Sequence, residues 1–423
     1  MSSATRSRPR ARNRAPEPRD IRRQPSRSGR LGPLKLQQLV LLEAAAAVVL
    51  VGWAISNVLL VPAIVLAVLL ALFALLRRRQ QPFSEWLTTA TSLRRRQRAA
   101  AGPALPVADP AFAPVAECDP ALHTYAFTSR DRREIGMISD GTFLTAVLQV
   151  QTTDSPLRPA RLQRPFPVRL LNDALAVDDI RLESVQMVLH TQPAPSPYLP
   201  EQALAARSYQ TLHEQSGSPA LRLTWIALKL HPELCPEAVQ ARGGGLEGAQ
   251  RCLLRAVDQL ASRVTGAGFT SKVLGESELI TALATSVCAN PRATAQAEHS
   301  GIATRRTQET SRAWRCDDRW HTTYWMGRWP PLGAGETPLP QVVALLTSMP
   351  ALATTFSLTL AGGSRSGPAV SGHVRITGRS DTDLVKARAV LGRAARAAKV
   401  GLVRLDREQL PGVLATLPLG GTR

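Results

Sequence analysis

The chain has 423 residues, 44% of them hydrophobic, and a mean hydropathy of −0.07. That length suits roughly two to three domains, and the balance excludes both a wholly disordered chain and a many-helix transporter. Basic residues outnumber acidic ones 52 to 32, a formal charge of +20, but the excess is clustered. Residues 1–35 hold eleven Arg or Lys against Glu17 and Asp20, and residues 77–98 hold seven Arg against Glu85. A nucleic-acid binder keeps its basic stripe on the folded domain, so no nucleic-acid partner is expected.

Between the two basic clusters, residues 36–76 contain one charged side chain, Glu43. A bilayer core of about 30 Å takes about 20 helical residues, so this run predicts a two-helix transmembrane hairpin, with spans at 36–55 and 58–76 and a turn at Ser56-Asn57. Basic flanks stay in the cytoplasm, which places both termini and everything after Arg77 there. Five cysteines, Cys118, Cys235, Cys252, Cys288 and Cys316, form no Cys-x-x-Cys pair, in keeping with a reducing compartment.

Residues 1–35 read as a disordered basic tail. Residues 77–98 read as a basic interfacial helix: Phe83, Trp86, Leu87, Ala90 and Leu93 fall at helical spacing beside Arg94, Arg95 and Arg96, which predicts contact with anionic lipid headgroups. The Ala- and Pro-rich residues 99–122 read as a linker. Beyond them the pattern predicts an α/β (α+β) domain. Strands are expected at 143–150, 184–190, 221–230, 322–328, 354–360 and 370–376. Helices are expected at 168–176, 201–215, 247–265, 277–287, 339–347, 382–398 and 407–416. A polar loop at 290–312 separates a first half, 123–289, from a second, 313–423. Element order and a shared closing motif, Glu278-Leu279-x-x-x-Leu283-Ala284-Thr285 beside Gln409-Leu410-x-x-x-Leu414-Ala415-Thr416, suggest two βαββαβ-like halves; chance similarity is the competing explanation.

Candidate chemistry is sparse. Gly243-Gly-Gly-Leu-Glu-Gly248 matches G-x-G-x-x-G, but no strand ends at its first glycine and no acidic residue follows about 20 positions later, so a glycine-rich loop before a helix is the better reading. There is no P-loop. The seven histidines show no metal-ligand spacing, and no metal or cofactor is expected. Cys316-Asp-Asp-Arg-Trp-His321 could be imagined as a metal or sugar-nucleotide site, but a turn between strands explains it. Asp178-Asp179 suits capping and turn roles. Glu43, inside a span, is the one polar group expected to meet a partner helix.

Several stretches resemble a known family: Gly32-Pro-Leu-Lys-Leu-Gln-Gln-Leu-Val-Leu-Leu-Glu43, the Leu-Leu-Arg-Arg-Arg of 75–79, Leu175-Ala-Val-Asp-Asp-Ile180, Thr224-Trp-Ile-Ala-Leu228 and Ala241-Arg-Gly-Gly-Gly-Leu-Glu-Gly-Ala-Gln250. They are similar to actinobacterial EccE proteins, membrane components of type VII (ESX) secretion. The resemblance implies a non-catalytic subunit of an inner-membrane complex assembled with EccB, the EccC ATPase and EccD; some family descriptions suggest a degenerate transferase-like fold. The alternative function is a membrane-tethered transferase acting at the cytoplasmic leaflet.

Overall fold

The computed structural model describes residues 30–31, 34–55, 61–68, 77–78, 81–104, 106–129, 131–152, 165–193, 198, 202–205, 207–209, 211, 221–301, 303–330, 338–362 and 367–421. They divide into two compact units, Met1–Thr88 and Thr89–Arg423.

In the first unit, helix α1 runs Leu36–Ile55, the bounds expected for the first span, and residues 61–68 are helical inside the second. Their large apolar side chains lie open: Leu50, Trp53, Ile55 and Val61 are each more than 60% exposed. Glu43 is exposed as well. Among the described residues no helix is long and apolar enough to cross a membrane. The expected turn at Ser56-Asn57 and residues 69–76 lie outside the described residues, as does the tail 1–29. Helix α2, Phe83–Ala100, follows a two-residue ribbon that pairs Arg77–Arg78 with Gln81–Pro82, and from Thr89 onward it belongs to the second unit.

The second unit is built on one twelve-stranded antiparallel sheet. Its strands are β1 His123–Thr128, β2 Glu134–Ser139, β3 Leu144–Thr152, β4 Ser184–Gln192, β5 Leu221–Leu230 and β6 Phe269–Val273, then β7 Thr307–Glu309, β8 Trp314–Cys316, β9 Arg319–Arg328, β10 Ala353–Ala361, β11 Ala369–Gly378 and β12 Gly401–Arg404. The helices are α3 Ala113–Cys118, α4 Arg169–Asp173, α5 Pro236–Ala241, α6 Gly245–Gly266, α7 Glu276–Ser286, α8 Pro291–Ser300, α9 Leu339–Thr347, α10 Asp381–Ala397 and α11 Gln409–Leu414. Along the sheet the order is β7-β8-β9-β11-β10-β4-β5-β3-β2-β1, with β6 beside β3 and β12 beside β9.

That order repeats itself about its centre. In each half a strand–helix–strand, strand–helix–strand run (β3-α4-β4, β5-α6-β6; then β9-α9-β10, β11-α10-β12) pairs in the order 2-3-1-4 of a split βαβ unit. In each, a preceding hairpin shares the outer edge of the first strand: β2 meets Thr145 and Ala146 of β3, and β8 meets Arg319–His321 of β9. The halves join where β4 meets β10, from Ser184 opposite Ala361 to Thr191 opposite Thr354. These two strands are buried on both faces, which is why their sequences are almost wholly uncharged.

Two elements stand where other structure was expected. Residues 99–122 contain α3, whose Val115, Ala116 and Cys118 are buried with Phe112, so the segment is not a free linker. Pro114, read as a linker signal, occupies the first turn of the helix, where a missing N–H costs nothing. The polar loop 290–312 contains α8, capped by Asn290 accepting from Arg292 N. No residue of α8 is buried, so it carries no apolar periodicity. Each half thus opens with a short helix. Strands β1 and β2 were not expected, because all of Glu134–Ser139 after its first residue is buried and no alternation appears. Within the expected helix 201–215, residues 204–205, 207–209 and 211 are helical, while 201, 206, 210 and 212–215 lie outside the described residues.

The sheet has two covered faces. Val185, Met187 and Leu189 of β4, with Phe356, Leu358 and Leu360 of β10, face a core shared with α4, α5, α6, α9 and α10. The opposite face is covered by α3, α7, α11 and residues 415–421. It is unusually polar in its middle, and Gln186 is fixed there by Ser357 Oγ at 2.8 Å, Ala415 O at 2.9 Å and Gly420 N at 2.8 Å.

Candidate functional site

The C-terminal half of α2 meets the hairpin β7–β8 through a two-pronged ion pair. Arg96 donates from Nε to Glu309 Oε2 at 2.7 Å and from Nη2 to Glu309 Oε1 at 3.0 Å, and a third bond reaches Arg407 O at 2.6 Å. Glu309 is 6% exposed, and it also accepts from Leu410 N. Arg96, expected at anionic headgroups, is thus engaged by Glu309 within the protein. Three consecutive arginines point to three different sides of a helix, and Arg96 falls near the side of Leu93, 7% exposed, one helical turn earlier. Arg94 and Arg95 remain exposed, while Trp86 lies on α2 outside the residues whose side chains are described.

A second buried pair sits below the first. Arg306 and Asp317, 4% and 7% exposed, form bonds of 2.9 and 2.7 Å. Glu117 of α3 accepts from Arg306 N, Thr307 N and Thr307 Oγ1. These side chains and Gln97, which donates to Glu309 O, occupy the outer edge of β7, so the end of the sheet is shielded from further strand pairing. Within the segment Cys316–His321, Asp317-Asp318 form the turn of hairpin β8–β9, with Asp317 in the left-handed region at φ 50°, and Arg319–His321 begin β9. Asp318 lies on the turn's exposed side, reaching Arg319 at 3.4 Å.

Next to these pairs lies a groove of about 600 Å³, lined by Arg96, Gln97, Glu117, Cys118, Arg305, Trp314 and Arg315 among others. A second, of about 370 Å³, shares Arg305 and Arg315. Neither gathers a working pair of titratable groups. Glu117 is consumed by the backbone of β7, and burial pushes the Cys118 thiol well up.

The polar middle of the sheet was missed by sequence reasoning, because its members come from four strands. Arg375 of β11 is fully buried; it donates from Nη2 to Ser286 O and Oγ and to Thr355 Oγ1. Its Nε and Nη1 have no partner among the described residues, and burial pulls its pKa down to about 10. His190 bonds Thr355 Oγ1 through Nδ1 at 2.9 Å, and Gln192 Nε2 lies 3.0 Å from its Nε2. His321 bonds Thr377 at 2.9 Å. Burial, reinforced by Arg375, lowers the His190 pKa to about 3 and lowers that of His321 well below its ordinary value. Burial also raises Cys288, to about 11, and Cys316. The group holds neutral imidazoles and neutral thiols, the opposite of an activated nucleophile.

The remaining sequence candidates are structural. Between the end of β5 and Gly243 stand a 3₁₀ turn and α5, so the glycines do not end a strand. A Cβ on Gly248 would lie 2.4 Å from Val239 O, so this glycine lets α6 pack on α5. Asp178 and Asp179 sit at the turn of a small ribbon, 176–177 with 180–181, and pair with Arg255 at 3.0 Å and Arg242 at 2.7 Å. Among the described residues no group of three or more His, Cys, Asp or Glu could hold a metal ion.

Residues 218–326 match the family model described as "Putative type VII ESX secretion system translocon, EccE". This segment is similar to the EccE family. The matched segment runs from β5 through α6, α7, α8 and the hairpin β7–β8 into β9, so it holds the Arg306–Asp317 pair and Glu309. No curated protein matches the chain. Among solved structures, an alkyldihydroxyacetonephosphate synthase is similar at 6% identity and a TM-score of 0.26, over 63% of this chain and 42% of the synthase chain. At that score the likeness carries no argument.

Proposed function

We propose that the chain is a structural subunit of an inner-membrane type VII secretion complex, without catalysis of its own. The observation that carries this reading is the EccE match, which falls on the continuous middle of the sheet unit. Two features support it. The open apolar surfaces of α1 and of residues 61–68 suit segments that meet lipid or neighbouring membrane helices. The buried thiols and imidazoles of the sheet unit are spent on folding, in neutral form. In this reading two spans, 36–55 and 58–76, place both termini and the sheet unit in the cytoplasm. Glu43 meets a partner helix, and Trp86, Arg94 and Arg95 lie toward anionic headgroups. The partners are EccB, the EccC ATPase and EccD. Affinity purification in mild detergent tests it: an FtsK/SpoIIIE-type ATPase should co-purify. A folded chain that emerges alone across a range of mild detergents would refute it.

A further inference from the structure

The two halves make the molecule its own comparison. Helices α6 and α10 occupy equivalent places in the repeated order, and their buried positions recur at the same intervals: Leu253, Ala256, Leu260 and Val264 in α6; Leu384, Ala387, Leu391 and Ala395 in α10. Arg255 follows the first of these by two residues, and Lys386 does the same. The outer surfaces of the two helices are treated differently. In the first half the segment between α4 and β4, residues 174–183, folds into the ribbon whose Asp178 reaches Arg255; Asp173 reaches Arg263 of the same helix, and Asp179 reaches Arg242 just before it. In the second half the corresponding connection is residues 348–352, Ser-Met-Pro-Ala-Leu, with no ribbon and no acid.

The cations nevertheless remain. Lys386, Arg393, Arg396 and Lys399 are all exposed, and none has an acidic partner among the described residues. Arg396 and Lys399, at the helix C-terminus, favour the helix dipole. Lys386, in the N-terminal half, and Arg393 have no such role. Exposed Ala389 lies between them, beside Val385, which is 54% exposed, and its small side chain leaves room for a partner backbone.

We infer that this face of α10 is a docking site for an acidic polypeptide segment of another protein, laid along the helix as residues 173–179 lie along α6. Polypeptide is favoured over a lipid surface because, in the first half, a chain segment already meets Arg255, the equivalent of Lys386, and the neighbouring Arg263 and Arg242 with spaced carboxylates. The inference does not depend on which complex the chain joins.

Ala389→benzoylphenylalanine in the full chain, irradiated in cells that contain its native partners, tests it. The expected result is a protein adduct that maps by mass spectrometry to an acidic segment. Its yield should fall about tenfold in Lys386→Glu/Arg393→Glu, and return when the carboxylates of the mapped segment become lysines. Lys386→Gln/Arg393→Gln, which adds no new charge, should show a smaller loss in the same direction. An adduct to lipid, to this chain itself or to a segment without acids would overturn the inference. So would an adduct insensitive to both double variants, or no adduct from a chain that melts like wild type.

Discussion

Acidification should unfold the sheet unit earlier than its ion pairs alone require, and His190 provides the quantity. The imidazole is fully buried, with Nδ1 on Thr355 and Nε2 facing the Gln192 amide, and Arg375 nearby opposes a second positive charge. Its pKa falls from 6.5 to about 3 on folding. The unfolded chain therefore binds a proton that the folded one refuses. Stability is complete above the unfolded value and is lost as pH falls from 6.5 toward 3. At pH 5 the unfolded form gains about 2 kcal/mol over the folded form from this residue alone, relative to pH 8. His321, lowered by burial in the same way, adds a loss of the same sign. Urea unfolding of the full chain in detergent, at pH values from 8 to 5, measures the effect. Trp225, 6.2 Å from His190, and Trp314, 5.0 Å from His321, are built-in fluorescence reporters. In His190→Gln the loss between pH 8 and pH 5 should shrink by about 2 kcal/mol whatever the variant's stability at pH 8. An unchanged loss would refute the assignment of a neutral buried imidazole.

Three further outcomes follow from the packing. Glu309→Gln leaves Arg96 half-buried without its counter-ion and should lower stability by about 2–4 kcal/mol, whereas exposed Arg94→Ala and Arg95→Ala should stay within about 0.5 kcal/mol; urea midpoints at constant slope distinguish them. Asp317→Ala removes the partner of Arg306 and places alanine at φ 50°, costing about 3–5 kcal/mol by the same measurement, while Asp318→Ala, whose side chain is 50% exposed, should be nearly neutral. Gly248→Ala drives a Cβ against the Val239 carbonyl and should cost about 2–3 kcal/mol; calorimetric titration with NAD⁺ should show no binding in wild type or variant, because these glycines pack helices.

The elements that the sequence made legible are those with one dominant physical signal. Leu221–Leu230 and Leu339–Thr347 have the expected bounds, since apolar periodicity and flanking prolines mark them. The repeated element order was visible because both halves close with the same helix motif. What escaped notice lacked a periodic face: α8 buries nothing, and Glu134–Ser139 buries nearly everything. The site was less legible still. Three adjacent arginines look alike in sequence, yet only Arg96 finds Glu309, 213 positions away. Arg375, His190 and His321 share no local motif and meet only because β4, β10, β11 and β9 are neighbours in the sheet.

The joint between β4 and β10 also bears on how the protein is made. Eight residue pairs, Ser184–Thr191 against Thr354–Ala361, close that joint, and one partner is synthesised long before the other. At about 5–20 residues per second, β4 emerges roughly ten to thirty seconds ahead of β10. Throughout that interval the first half presents an unpaired, uncharged strand edge, the kind of surface on which nascent chains associate wrongly. A ribosome-bound chain stalled between residues 200 and 340 should therefore be the stage at which this protein most needs a chaperone, and at which a slow codon would do most harm.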